Sequence, residues 1–232
     1  MEINWGIIGA GYIAGQFVKD YAHVKDGQIK AIASRSGEKA ESFAGEYGIE
    51  KAYEGYDNLL KDEDIHAVYI ATPHNLHYEN TLSAIKNKKA VLCEKPAAVN
   101  ARQLKEMIEL AKKEDVLFME AMWTYLLPPV AQVKQWIQSG EIGDVKFIQA
   151  DFGVHMDFPP EHRINNPELA GGGLLDLGIY PVSLANLMIE DKIKDIQAMA
   201  QFTETQVDET TVMHLNYNNG AIAQLISSTK NP

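Results

Sequence analysis

Along the first half of the chain, short apolar runs alternate with longer stretches whose apolar positions recur at helical spacing. INWGIIGA is followed by a helix-like stretch over about residues 13–24, then QIKAIASR reads as a strand and Gly37–Tyr47 as a helix. After a connecting segment come the strand HAVYIAT, a helix over 76–88, the strand AVLCE, a helix over 101–113 and the strand VLFME. Strands that are apolar nearly throughout, alternating with helices, predict a parallel sheet covered on both faces.

The pattern changes after Glu120. AMWTYLLPPVAQVKQWIQSG reads as one helix ended by Gly140, with Pro128 and Pro129 near its start. DVKFIQADFGV, KDIQAMAQFTE, TTVMHLNY and AIAQLISST read as strands, interrupted by one helix over 175–190. Asn218-Asn219-Gly220 is a hairpin turn signal between the last two. The expected division is a parallel α/β domain over 1–120 and an α+β domain over 121–232, with a ligand favoured at the junction. The chain stops at Lys230-Asn231-Pro232 directly after a strand, which suggests a piece of a longer sheet.

Composition narrows the classes. Acidic residues outnumber basic ones, 32 to 21, for a net charge of −11, so there is no electrostatic footprint for nucleic acid or an anionic membrane. The single cysteine, Cys93, excludes an intramolecular disulfide and a cysteine-based zinc site, and no metal is expected. Cys93 lies in an apolar strand and reads as a small buried side chain. Neither a signal peptide nor a run of membrane-spanning length is visible, so a cytoplasmic location is expected.

Chemistry enters at the strand ends. Gly9-Ala10-Gly11-Tyr12-Ile13-Ala14 follows the first strand and opens the first helix, a G-x-G-x-x-A pattern in the context that binds a dinucleotide. The first glycine permits the tight turn, and the second lets backbone approach a pyrophosphate. Tyr12 and Ile13 begin the helix whose free amides face the phosphates. Where an NAD site places an acid for the ribose 2′-hydroxyl, this chain has Ser34-Arg35-Ser36. Arg35 can pair with a 2′-phosphate, which favours NADP over NAD.

Thr72, Pro73, His74, Asn75 and His77 follow another strand end on the same side of the sheet, within reach of a cofactor. Asn75 suits a helix N-cap equally well. Glu94 and Lys95, fixed by Pro96, end the next strand there. In GGGLLDLGIYP, Asp176 and Tyr180 are four apart and share a face of one helix. A buried aspartate needs a partner, and Lys95 is a candidate. A tyrosine beside an ammonium can exchange a proton with an alcohol or carbonyl.

The glycine loop, the E-K-P strand end and the G-G-G-x-L-x-D-x-G-x-Y segment, in this order, resemble the Gfo/Idh/MocA oxidoreductases across essentially the whole chain. E-A-M-W-T at 120–124 and the tyrosine ending D-L-G-I-Y draw the chain towards the branch of dihydrodiol dehydrogenases and NADP-dependent D-xylose dehydrogenases. The resemblance implies an N-terminal Rossmann domain and a C-terminal domain on an open, mostly antiparallel sheet, through which related chains dimerise. It implies an NADP-dependent dehydrogenase acting on a sugar or cyclic diol, with catalytic Lys95, Asp176 and Tyr180. Tyr180 is the implied acid/base and Lys95 its activator; the candidate substrate contacts are Trp123, Arg163, Asp176 and Tyr180. A cis peptide before Pro96 is also implied. Related chains often continue W-T with arginine where Tyr125-Leu126 stands here, which leaves the substrate open. Arg163 and His155 lie in the approach to the glycines, where exposed loop positions are the plainer reading. The alternative function is a dinucleotide-binding regulator or sensor without turnover. It would need the glycine loop but not Lys95, Asp176 and Tyr180.

Overall fold

The computed structural model describes residues 2–230; Met1, Asn231 and Pro232 lie outside them. Two compact units form, Met1–Ala121 and Met122–Pro232. No helix among the described residues is long and apolar enough to cross a membrane.

The first unit holds six parallel strands: β1 (Ile3–Ile8), β2 (Gly27–Ser34), β3 (Lys51–Glu54), β4 (Ala67–Ile70), β5 (Ala90–Cys93) and β6 (Phe118–Glu120). Their order, β3-β2-β1-β4-β5-β6, is that of a dinucleotide-binding Rossmann sheet. The helices are α1 (Tyr12–Tyr21), α2 (Gly37–Tyr47), α3 (Asp57–Lys61), α4 (His74–Lys86) and α5 (Ala101–Glu114). Strand residues alternate between two cores, as the two-residue side-chain period requires. Ile8, Ala31, Ala33, Val68 and Ile70 pack with Leu59, Leu60 and Ile85 on one face. Ile7, Ile32, Tyr69 and Ala71 pack with Ala14, Phe43 and Ala44 on the other. Both faces being covered explains why these strands read as unbroken apolar runs.

The second unit is built on β7 (Phe147–Gly153), β8 (Ile193–Phe202), β9 (Asp208–Tyr217) and β10 (Ile222–Ser228), in the order β7-β10-β9-β8. The β10–β9 and β9–β8 pairs are antiparallel and β10–β7 is parallel. The Asn218–Gly220 turn closes the β9–β10 hairpin, with Gly220 at φ +85°. Helices α6 (Pro128–Gln138) and α7 (Ile179–Met188) complete the unit. Ala185 and Ile189 pack on Met213, Leu215, Tyr217, Ala223 and Leu225.

Three stretches of the chain differ from the pattern expected from the sequence. The connecting segment before β4 contains β3 and α3, too short and too polar to show a period. The helix expected from residue 121 begins only at Pro128, after a 3-10 turn over Trp123–Leu126. Leu127 is extended (φ −69°, ψ 129°), because the residue before a proline is steered out of the helical region. The helix expected over 175–190 is a π-helical turn, Leu174–Gly178, continued by α7. Pro181 has no N–H for the Leu177 carbonyl and its ring crowds that carbonyl, so the hydrogen-bond register changes just before it.

Candidate active site

In the first unit the strand order reverses between β1 and β4, and ligands of such sheets bind at the carboxyl ends flanking that reversal. Gly9 takes φ +104°, and a Cβ there would lie 2.8 Å from the Ala71 carbonyl oxygen at the end of β4. The glycine is thus required on both conformational and steric grounds. Gly11 precedes α1, whose start has no side-chain cap, and a Cβ on Gly11 would meet nothing within 4 Å. Open space before uncapped amides is what a pyrophosphate needs. Tyr12 is 82% exposed, and Ile13 is exposed beside it. The residues present therefore fit a dinucleotide: Gly9, Gly11 and the first turn of α1 would hold its phosphates.

At the end of β2, Ser34 is buried and its carbonyl accepts from the Gly55 amide at 2.8 Å. Ser36 caps α2 by accepting from the Lys39 amide. Arg35 is exposed in this turn. Burial raises the Tyr56 phenol pKa, and the nearby Arg35 charge opposes that rise. Glu54 belongs to no sequence motif, yet its carboxylate oxygen would lie 3.2 Å from a Cβ on Gly37. An acid thus stands by the same turn, contributed by the unrecognised β3.

Lys95 sits in a loop gripped through its main chain. The Lys95–Pro96 peptide is cis. The Lys95 amide donates to Glu94 Oε2 at 3.1 Å, and the Ala97 amide donates to Glu120 Oε1 at 2.7 Å. The Tyr69 hydroxyl donates to Glu94 Oε1, and its ring stacks on Phe17 at 4.0 Å. Glu94, expected to touch cofactor, thus engages both oxygens within the protein. Its position at a strand end is explained by the backbone that it holds.

His77 is fully buried, with Nδ1 2.8 Å from the Pro96 carbonyl oxygen and Nε2 2.8 Å from that of Thr72. Burial pushes its pKa from 6.5 down to about 4, although both carbonyls act in the opposite direction. A neutral imidazole has one N–H and donates to one of these carbonyls at a time; only the imidazolium donates to both. Neither nitrogen is left for a cofactor, so His77 ties the β4 loop to the Lys95 loop instead. Thr72 is buried too, and its hydroxyl accepts from Asn80 at 3.1 Å. His74 is buried at the start of α4, edge-on to His77. Pro73 precedes α4 without a side-chain cap and Asn75 is already inside the helix, so the N-cap reading of Asn75 is corrected. Burial drives the Cys93 thiol far up, which rules out a thiolate nucleophile.

In the second unit, Asp176 is buried, and Arg163 Nη1 donates to its Oδ1 at 3.1 Å. Arg163, expected in the substrate approach, thus partners the aspartate while its side chain stays 45% exposed. The Trp123 indole Nε1–H donates to the Tyr180 hydroxyl at 3.2 Å. The Tyr180 ring stands edge-to-face against Trp123, with centroids 6.3 Å apart, and Phe152, at 5.2 Å. Trp123, Asp176 and Tyr180 were expected from the sequence. Phe152 was not, because it lay in a strand reading with nothing to mark which face it used. Asp208, also unread, accepts from the Leu174 amide at 2.5 Å and from the Thr211 hydroxyl at 3.2 Å, holding the start of the π turn. His155 is exposed and its Nδ1 lies 3.4 Å from the Lys230 carbonyl oxygen. No group of three or more His, Cys, Asp or Glu among the described residues is placed to hold a metal ion.

Comparison with known proteins follows the same two units. Residues 3–122 match the profile described as the oxidoreductase family with an NAD-binding Rossmann fold, and residues 130–232 match the GFO/IDH/MocA C-terminal domain. Trans-1,2-dihydrobenzene-1,2-diol dehydrogenase of Xenopus tropicalis is 39% identical over 232 residues, covering 99% of this chain and 69% of that protein. The Mus musculus protein of the same name is 38% identical over 223 residues, covering 95% and 66%. Among solved structures, aldose-aldose oxidoreductase from Caulobacter crescentus, complexed with glycerol, superposes with a TM-score of 0.92 at 25% identity, covering 99% of this chain and 72% of that one. A 3-ketoreductase from Actinomadura kijaniata, in complex with NADP and TDP-benzene, gives 0.89 at 28% identity, covering 99% and 71%. The chain belongs to the Gfo/Idh/MocA family of nicotinamide-dinucleotide-dependent oxidoreductases.

Proposed function

We propose that the protein is an NADP-dependent dehydrogenase that interconverts a secondary hydroxyl and a carbonyl on a sugar or cyclic diol. A nicotinamide dinucleotide, when bound, accepts or supplies the hydride. The chain's own residues manage the proton and the oxygen. In reduction, Tyr180 gives its hydroxyl proton to the carbonyl oxygen as the C–H bond forms, and takes a proton back from solvent. In oxidation the steps run in reverse: Tyr180 first releases its proton to solvent, and the phenolate oxygen then takes the alcohol proton as the C–H bond breaks. Lys95 supplies a fixed positive charge for the reacting oxygen, and Asp176, oriented by Arg163, accepts from a neighbouring substrate hydroxyl. Trp123 offers an apolar ring face to the sugar or diol. The observation that carries the reading is Tyr180 itself: a hydroxyl held by an indole N–H between two edge-on rings, in a chain that also carries a dinucleotide cradle.

Arg35 supports NADP as the cofactor. Glu54 by the same turn favours NAD as a second reading, because a carboxylate accepts from a ribose 2′-hydroxyl and repels a 2′-phosphate. A cytoplasmic location suits the single buried thiol, and pairing of two copies through the second sheet suits the apolar side chains exposed along β8.

The test of the chemistry is Tyr180→Phe. Turnover on a screen of sugars and cyclic diols should fall by roughly 10²–10⁴-fold, with NADPH affinity nearly unchanged; unchanged turnover would remove Tyr180 from its role. Fluorescence titration with NADPH and NADH separates the two cofactor readings. Dinucleotide binding with no turnover on any substrate would favour the sensor.

A further inference from the structure

We infer that Trp123 is a positioning residue for Tyr180, fixing the direction in which the phenol presents its proton; this deepens the dehydrogenase reading and rests on it. An indole N–H only donates, whereas a phenol oxygen has one hydrogen to give and two lone pairs to accept with. When Trp123 donates at 3.2 Å, the Tyr180 hydrogen cannot point along that line. It is turned to the other side of the oxygen, so one lone pair is committed and the proton faces away from the indole.

The arrangement is held from several directions. Trp123 opens the 3-10 turn Trp123–Leu126, and two residues on, the Tyr125 hydroxyl donates to the Ser183 carbonyl at 3.0 Å. Ser183 lies one turn along α7 from Tyr180, so this bond docks the tryptophan's turn on the helix that bears the tyrosine. Phe152, edge-on at 5.2 Å, limits rotation of the Tyr180 ring from another side. Such contacts add order beyond the area they bury.

The plainer reading makes Trp123 an aromatic wall for substrate. Its 56% exposure leaves a ring face open for that purpose. The two roles use different atoms and respond to different tests, because Trp123→Phe keeps an aromatic ring and removes the N–H.

The experiment uses the full chain. Its three tryptophans give three indole N–H signals in a ¹H–¹⁵N spectrum, and Trp123→Phe identifies one of them. Tyr180→Phe should move that signal and leave the other two. In turnover, Trp123→Phe should lower kcat by roughly three- to tenfold, the worth of one neutral hydrogen bond, with KM for substrate and NADPH affinity within about twofold. In a Tyr180→Phe background the same change should cost nothing further, because its effect passes through the missing oxygen. A Trp123 signal indifferent to Tyr180→Phe, an additive double variant, or a raised KM with kcat intact would each overturn the inference. A wild-type chain without turnover whose Trp123 signal still moves would sink the dehydrogenase reading while supporting the contact. An active enzyme whose signal does not move would do the reverse.

Discussion

The two units present their chemistry through different parts of the chain. In the first, the site is main chain: a glycine turn, the uncapped start of α1, and a lysine loop gripped at the Lys95 amide, the Pro96 carbonyl and the Ala97 amide. In the second, it is side chain on side chain: Trp123 on Tyr180, Arg163 on Asp176, Phe152 against the phenol ring. A main-chain site depends on where strands end and which positions lack a Cβ. A side-chain site depends on helix phase, which a single change of hydrogen-bond register alters.

The strongest way to break this contrast is at the glycines. Gly9→Val must adopt φ +104° and place carbon within 2.8 Å of the Ala71 carbonyl. Strain and overlap together should cost about 3 kcal/mol or more, with NADPH and NADH binding lost. Gly11→Ala meets no atom of the protein within 4 Å, so its melting temperature should stay near the wild-type value while dinucleotide affinity falls by at least about tenfold. Wild-type affinity in Gly11→Ala would show that the space before α1 is not the phosphate cradle.

This contrast also governs what the sequence discloses. Gly9, Gly11 and the strand ends were legible because a parallel sheet places every carboxyl end on one side and glycines mark backbone geometry. Helix α2 was read to its observed bounds, Gly37–Tyr47, since Ser36 caps it and Gly48 ends it in the left-handed region. The β3–α3 segment was not legible: KAYE and DNLLK are too short to establish a period. With β3 went Glu54. In the second unit, Asp176 and Tyr180 were visible as residue types, but their surroundings were not. The π turn, Arg163 as the aspartate's partner and Asp208 beneath Leu174 all depend on contacts distant in sequence. His77 was legible as a histidine near a strand end and misread in role, because nothing local shows two carbonyls converging on its ring.

His77 gives the next test, a pH dependence. Its folded pKa of about 4 lies below the 6.5 of an unperturbed imidazole. As pH falls below 6.5 the unfolded chain takes up the proton first, so stability declines between about 6.5 and 4 and the His77 contribution levels off below that. The full decline should be about 3 kcal/mol. Urea unfolding across this range should show a steeper decline in the wild type than in His77→Gln, where only the other shifted groups remain, His162 among them. An equal slope in both would mean that the two carbonyls hold the ring closer to its ordinary titration than burial alone allows, and that the clamp is softer than the geometry suggests.

The smallest expected effect sharpens the comparison from the side-chain end. Asp208 accepts from the Leu174 amide and the Thr211 hydroxyl through one oxygen, Oδ2, while Oδ1 lies where a Cβ on Gly172 would fall. Asp208→Asn can keep both bonds through its carbonyl oxygen but loses their charge assistance, a cost of about 1 kcal/mol. Leu174 opens the turn that carries Asp176 and leads into Tyr180, so looseness there should reach turnover. The glycine cradle is built from residues of the first unit, so NADPH affinity should stay within about twofold while kcat falls several-fold. Equal losses in both would mean that dinucleotide binding depends on the order of the second unit, and the division into a main-chain site and a side-chain site would then fail as a description of function.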